Sequence, residues 1–351
     1  MTTTHSPILE SAPLGPRWPC LDPFLFCAHH DDSYPASNGQ MGVKVAEFEG
    51  REMGSDFSAK NGFSMYHGEP VPGFPGHPHR GFETVTLVRK GRIDHADSLG
   101  AAARFGGGDV QWLTAGKGIQ HSEMFPLLNS EQPNPLELFQ IWLNLPAKSK
   151  MVEPHFTMFW NESIPRLVHA DADEKQTTVT VIAGELPGAD KPLAAPPESW
   201  ASQTDSDLAI WTLELAPGAR WTLPKAQGAE THRMLYFFVG QSLSLGGEAV
   251  TQHLAMHIDA HRDLELVNTG SDTVELLLLQ GRPIGEPVAQ YGPFVMNTQQ
   301  EIMQAMQDYR RTQFGGWPWK DHDPVHGTEN RRFARYPGAE QEDLPPAPVS
   351  A

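Results

Sequence analysis

The stretch GHPHRGFETVT, residues 76–86, sets His77 and His79 two positions apart, and GIQHSEMF, residues 118–125, repeats that spacing with His121 and Glu123. On a β-strand, side chains i and i+2 point to one face, so each pair converges. Two such strands side by side in a small barrel would bring three imidazoles and one carboxylate around an open centre. That donor set suits a divalent first-row metal with room left for water or substrate. Gly73, Gly76, Gly81, Gly116 and Gly118 flank the pairs and allow tight turns beside them. With 16 histidines in the chain, one close pair can arise by chance. Two pairs at strand ends beside glycine turns make a stronger signal.

The elements that must position these residues are short. ETVTLVRKGRIDHADS reads as strand, turn at Lys90-Gly91 and strand, a hairpin signal. DVQWLTAG and LELFQIWLNLP are further strands, the second ended by Pro146. Residues 17–165 are expected to form one barrel and residues 1–16 a loose leader. A charged, proline-rich bridge follows over about 166–205, although TTVTVIAG within it is strand-like. From 207 the short apolar runs resume, and a second domain is expected over 175–312. In NTQQEIMQAMQDYRRTQFGG, Asn297 or Thr298 can cap a helix with Glu301 three residues after Thr298. Ile302, Met306 and Tyr309 fall on one stripe that Met303 widens. Residues 313–351 are polar and proline-rich and are expected to be extended or partly disordered.

At 351 residues the chain is longer than one core usually organises. Its 31 prolines and 32 glycines suit many short strands. A net charge of −17 disfavours nucleic acid and anionic membranes as partners. No apolar run approaches the length of a membrane helix, and no secretory signal is visible. Two cysteines, Cys20 and Cys27, are too few for a disulfide scaffold, and a cytoplasmic location is expected.

GFPGHPHRGFETV followed by GGDVQWLTAGKGIQHSEMF closely resembles the pirin family of the cupin superfamily. LDPFLF, LELFQIWLNLPAKSKMVEPHF and GEPVAQYGPFVMNTQQEIMQAM extend the likeness over about residues 20–312, while 33–65 match poorly. The resemblance implies an all-β fold, a bicupin of two tandem jelly-roll barrels with a C-terminal helix. It implies one iron, Fe(II), in the first barrel, held by His77, His79, His121 and Glu123, with other divalent first-row metals also suited to such donors. General cupins often use a glutamate four residues after the second histidine of the pair, which here is Glu83. The pirin pattern favours Glu123, leaving Glu83 a supporting role.

The resemblance further implies a quercetin 2,3-dioxygenase-type activity, cleaving a flavonol with O2 and releasing carbon monoxide, with Glu123 accepting the substrate proton. A second implication, of another class, is an iron- or redox-responsive regulator that binds a protein partner such as a transcription factor or metabolic enzyme. Gln111, Glu83 and Gln140 are candidates to orient the ligands. FCAHHDDSYP, with His29, His30, Asp31 and Asp32 in a row, reads as a solvated loop, with a pocket rim or second metal site as alternatives. The second domain has His232, His253, His257 and His261 but no paired spacing, and is expected to be metal-free.

Overall fold

The computed structural model describes residues 5–347. The chain divides into two compact units. One joins the chain up to Ala28 to Ser163–Gly285; the other joins His29–Glu162 to the chain from Glu286 onward. The boundary falls within one strand, Phe24–Tyr34. Among the described residues nearly all regular structure is β, with one α-helix, Gln299–Thr312.

The Ser163–Gly285 unit pairs a seven-stranded sheet with a four-stranded one. Alternation explains its core. Trp211, Leu213 and Leu215 share one face of Ala209–Leu215, and Leu276 and Leu278 share one face of the neighbouring Val274–Gly281. They pack on Trp221, Leu245 and Leu266 of the smaller sheet. Each such side chain contributes about 2 kcal/mol on leaving water. Two expectations change here. The leader contains a strand, Ile8–Pro13, paired antiparallel with Leu254–Ile258. The bridge contains Arg166–Ala170 and Gln176–Ala183, which extend the larger sheet.

The His29–Glu162 unit has two five-stranded sheets. One runs His155–Phe159, Asp109–Thr114, Phe82–Lys90, Asn134–Asn144, Phe24–Tyr34. The other runs Phe333–Arg335, Ala102–Phe105, Ile93–Asp97, Ile119–Met124, Gly73–His79. Val88, Leu113, Leu138 and Met158 of the first meet Ile93, Ala103, Phe105 and Ile119 of the second. The expected hairpin at Lys90-Gly91 is not one. Phe82–Lys90 pairs with Asp109–Thr114 and Asn134–Asn144, while Ile93–Asp97 pairs in the other sheet. The chain crosses between sheets at this turn, because each flank finds better partners than its sequence neighbour.

The helix clusters with this unit, and so does the tail, rather than helix with second barrel as expected. Thr298 caps it in a reciprocal box with Glu301. Ile302 and Ala305 are buried with Met306 and Tyr309 against them, but Met303 is 57% exposed and lies off the packing stripe. The tail is extended and held to this unit over its described residues, with 348–351 lying outside them. Phe333–Arg335 pairs with Ala102–Phe105, Trp319 Nε1 donates to the Asp97 carbonyl at 2.8 Å, and Gly76 N donates to the His322 carbonyl at 2.7 Å. Among the described residues no helix is long and apolar enough to cross a membrane.

Candidate metal centre

His77 and His79 lie on Gly73–His79, and His121 and Glu123 on its antiparallel neighbour Ile119–Met124. His77 stands directly across from His121, while Phe74 stands across from Glu123. A bulge between Phe74 and His77 reconciles the two registers, so an even and an odd position face the same way. One potential ligand atom from each of His77, His79 and His121 lies within 4.8 Å of the others, so the three could hold a metal ion. Glu123 adjoins them, its Oε2 3.9 Å from His121 Nε2.

The donor chemistry fits a cation. His79 Nδ1 and both His121 ring nitrogens are buried without a hydrogen-bond partner among the described residues. Leaving such groups unpaired costs about 1–3 kcal/mol each unless something else engages them. The Pro75 carbonyl accepts from His77 Nδ1–H at 2.8 Å, which leaves Nε2 with a lone pair to give. Burial holds all three rings neutral, the form a metal needs: His77 is pushed down to about 4, and His79 and His121 fall well below the usual range. Burial also raises Glu123, offset in part by His95 and by hydrogen bonds from Thr86 and Gln140. A divalent ion would supply the positive charge this carboxylate otherwise lacks.

The opposite sheet orients the carboxylate. Gln140 Nε2 donates to Glu123 Oε2 at 2.9 Å, and the single Thr86 hydroxyl proton is shared between Gln140 Oε1 at 2.5 Å and Glu123 Oε1 at 3.1 Å. Thr86 is cross-strand partner to both Gln140 and Gln111, so the three share the inward face. Gln111 reaches no partner there, its amide being buried and unpaired among the described residues. Glu83 takes the other face. It lies three positions before Thr86 in a regular register, and Thr114 Oγ1 donates to it at 2.6 Å. Its numerical parity with His77 and His79 misleads because Gly81 interrupts the strand. Gly81 sits at φ +85°, and a Cβ there would come within 2.0 Å of the Val295 carbonyl. Buried Lys150 pins the same turn, donating to the carbonyls of Gly81 and Val295 and to Asn144 Oδ1.

The C-terminal helix buttresses the ligand strands from outside. Arg80, next to His79, donates to the Lys117 carbonyl at 2.6 Å and to Asp308 at 2.9 Å, its guanidinium 4.5 Å above the Phe314 ring. Gln120, next to His121, accepts from the Tyr309 hydroxyl at 3.0 Å and donates to the carbonyls of Gln313 and Gly316.

His95 escaped the sequence reading. It is fully buried, stands across from Glu123, lies 5.5 Å from the His121 ring and stacks on Phe156. Its Nε2 meets Asp97 Oδ2 at 3.3 Å, so His95-Ala96-Asp97 repeats the paired spacing that was the available signal. The HHDD run is not a solvated loop but part of the Phe24–Tyr34 strand. In the other unit, His232 and His257 lie 5.7 Å apart on positions alternate to the core residues Leu235 and Met256.

A pirin family description matches residues 13–143, and a Pirin C-terminal cupin domain matches 210–315. A pirin-like protein of Solanum lycopersicum is 36% identical over 240 residues, 68% of this chain and 75% of its own. A pirin-like protein of Caulobacter vibrioides is 37% identical over 242 residues, 69% of this chain and 80% of its own. A crystal structure of quercetin 2,3-dioxygenase from Acinetobacter baumannii superposes with a TM-score of 0.66 at 26% identity, covering 88% of this chain and 98% of that one. Two cupin domains, the matched segments on both sides of the middle and relatives of this closeness agree: the chain belongs to the pirin family.

Proposed function

We propose that the protein is an iron-dependent dioxygenase that cleaves flavonols such as quercetin with O2 and releases carbon monoxide. One observation carries this reading: three neutral imidazoles, two of them buried with unpaired nitrogens, converge beside a carboxylate inside one barrel. The similarity to a quercetin 2,3-dioxygenase structure supports the substrate class. His77, His79, His121 and Glu123 are the residues that would hold the iron. When bound, the ion supplies Lewis-acid stabilisation of a substrate oxyanion and access to O2 chemistry.

The chain's own residues do the rest. Glu123 Oε2 takes the proton of the flavonol hydroxyl. Gln140 and Thr86 hold the two carboxylate oxygens in place while the proton moves. Phe82 and Trp142 pack edge-on against His79 and fix its ring, keeping water from that side.

The test is oxygen uptake and carbon monoxide release by iron-loaded protein given quercetin. Turnover that disappears on chelation and returns with iron supports the proposal. Iron-loaded, folded protein without turnover, yet capturing a protein partner according to redox state, would instead favour the regulator.

A further inference from the structure

Alternation along Phe24–Tyr34 splits the HHDD run. His29 meets Glu137 at 3.1 Å and stacks on Phe139, and Asp31 is exposed. His30 and Asp32 lie on the other face, shared with buried Tyr34, and meet Tyr66. Asp32 Oδ1 accepts from Ser64 N and Oδ2 from the Tyr66 hydroxyl, each at 2.8 Å. The Tyr66 oxygen stands 2.7 Å from His30 Nδ1.

The proton order in this chain follows. Burial pushes Asp32 up to about 6, still ionised at neutral pH, so it only accepts. The Tyr66 proton therefore goes to Asp32, and the Tyr66 oxygen accepts from His30 Nδ1–H. That fixes the tautomer: His30 Nε2 carries a lone pair. Burial keeps the ring neutral, pushed down to about 4. Tyr66 is held at φ 57°, a left-handed conformation uncommon outside glycine, which the surrounding bonds must sustain.

Aromatic rings join this relay to the metal centre. Tyr66 stacks on Phe74 at 5.1 Å, His30 meets Phe74 at 6.1 Å, and Phe74 lies 6.3 Å from His77 and directly across from Glu123. Through Phe74, His30 is thus two ring contacts from His77, a span on the scale of a three-ring flavonol.

We propose that His30, oriented by Tyr66 and Asp32, determines specificity: its Nε2 accepts a hydrogen bond from a hydroxyl on the distal ring of a polyphenolic ligand. This rests on the flavonol reading of the metal centre. A neutral acceptor admits a phenol donor and gives nothing to an unsubstituted ring.

The test uses iron-loaded full-length protein and two flavonols, quercetin with a hydroxylated distal ring and galangin without one. Dissociation constants come from quenching of tryptophan fluorescence, with iron content checked on each sample. Wild type is expected to bind quercetin about tenfold tighter than galangin, as one hydrogen bond would give. His30→Phe should bring the ratio close to one with iron unchanged, and His30→Gln, which keeps an acceptor, should restore part of it. Tyr66→Phe, nearly isosteric, should lower the ratio several-fold and carries the test should His30→Phe fold poorly. A ratio unchanged in His30→Phe or in Tyr66→Phe, or no preference in wild type, overturns the proposal. Wild type that turns over both flavonols with a ratio indifferent to these substitutions sinks His30 alone; wild type that binds neither sinks the flavonol reading with it.

Discussion

On Leu254–Ile258 in the Ser163–Gly285 unit, the inward positions are Leu254, Met256 and Ile258. On Ile119–Met124 in the His29–Glu162 unit, they are Ile119, His121 and Glu123. Both strands lie inside antiparallel sheets that bury one face on an opposing sheet. In the first unit that face is largely apolar, its buried polar side chains including Arg233 bonded to Gln280, and His232 and His257 take alternate positions away from the core. In the second, polar side chains replace part of the core: three imidazoles converge, and Gln140 and Thr86 bond Glu123 beside them. The difference teaches that a metal site in this architecture depends on which parity faces inward, more than on how many histidines a strand carries.

Substitutions that break the site should have the largest effect. His121→Ala should abolish iron binding and lower flavonol turnover by at least about 10³-fold, measured by elemental analysis and oxygen uptake. Glu123→Gln should cost about 10²- to 10⁴-fold in kcat and weaken iron retention, whereas Glu83→Gln, on the other face, should keep the iron. Retained iron in Glu123→Gln together with loss in Glu83→Gln would reverse that assignment.

Next comes the turn that sets the parity. Gly81→Ala should destabilise the fold by about 3 kcal/mol or more in urea unfolding, since a Cβ at positive φ would collide with the Val295 carbonyl. An unchanged midpoint would mean the turn does not constrain the ligand strands.

The metal-free protein should respond to acid. His77 and His30 are near 4 when folded and about 6.5 when unfolded, so the unfolded chain binds more protons between those values. Their contribution is fully present above about pH 6.5 and lost as pH falls toward 4, for a few kcal/mol together. Denaturant titrations across pH 7 to 4 should show this slope. Smallest of all, His232→Ala with His257→Ala should leave iron content unchanged and stability within about 0.5 kcal/mol. Loss of iron there would erase the contrast between the units.

Much of this was legible because local chemistry is local. His77, His79, His121 and Glu123 advertised themselves by i, i+2 spacing, and Thr298 with Glu301 marked the helix start. What escaped depended on long-range pairing. Parity fails across the Gly81 turn and the Phe74–His77 bulge, neither of which changes the apparent alternation of residue types. The Lys90-Gly91 turn looks like a hairpin locally, and only the pairing of both flanks shows it to be a crossing between sheets. Ile8–Pro13 and Phe333–Arg335 are short and set among proline-rich or polar neighbours, so they read as loose ends, and become strands because an open sheet edge accepts them.

Elemental analysis of protein purified without added metal, wild type beside His121→Ala, tests the central claim most directly. About one divalent first-row metal ion per wild-type chain and none in the variant are expected, with both folded. A wild-type chain that folds tightly yet stays empty when offered iron, or a variant that keeps its ion, would contradict it.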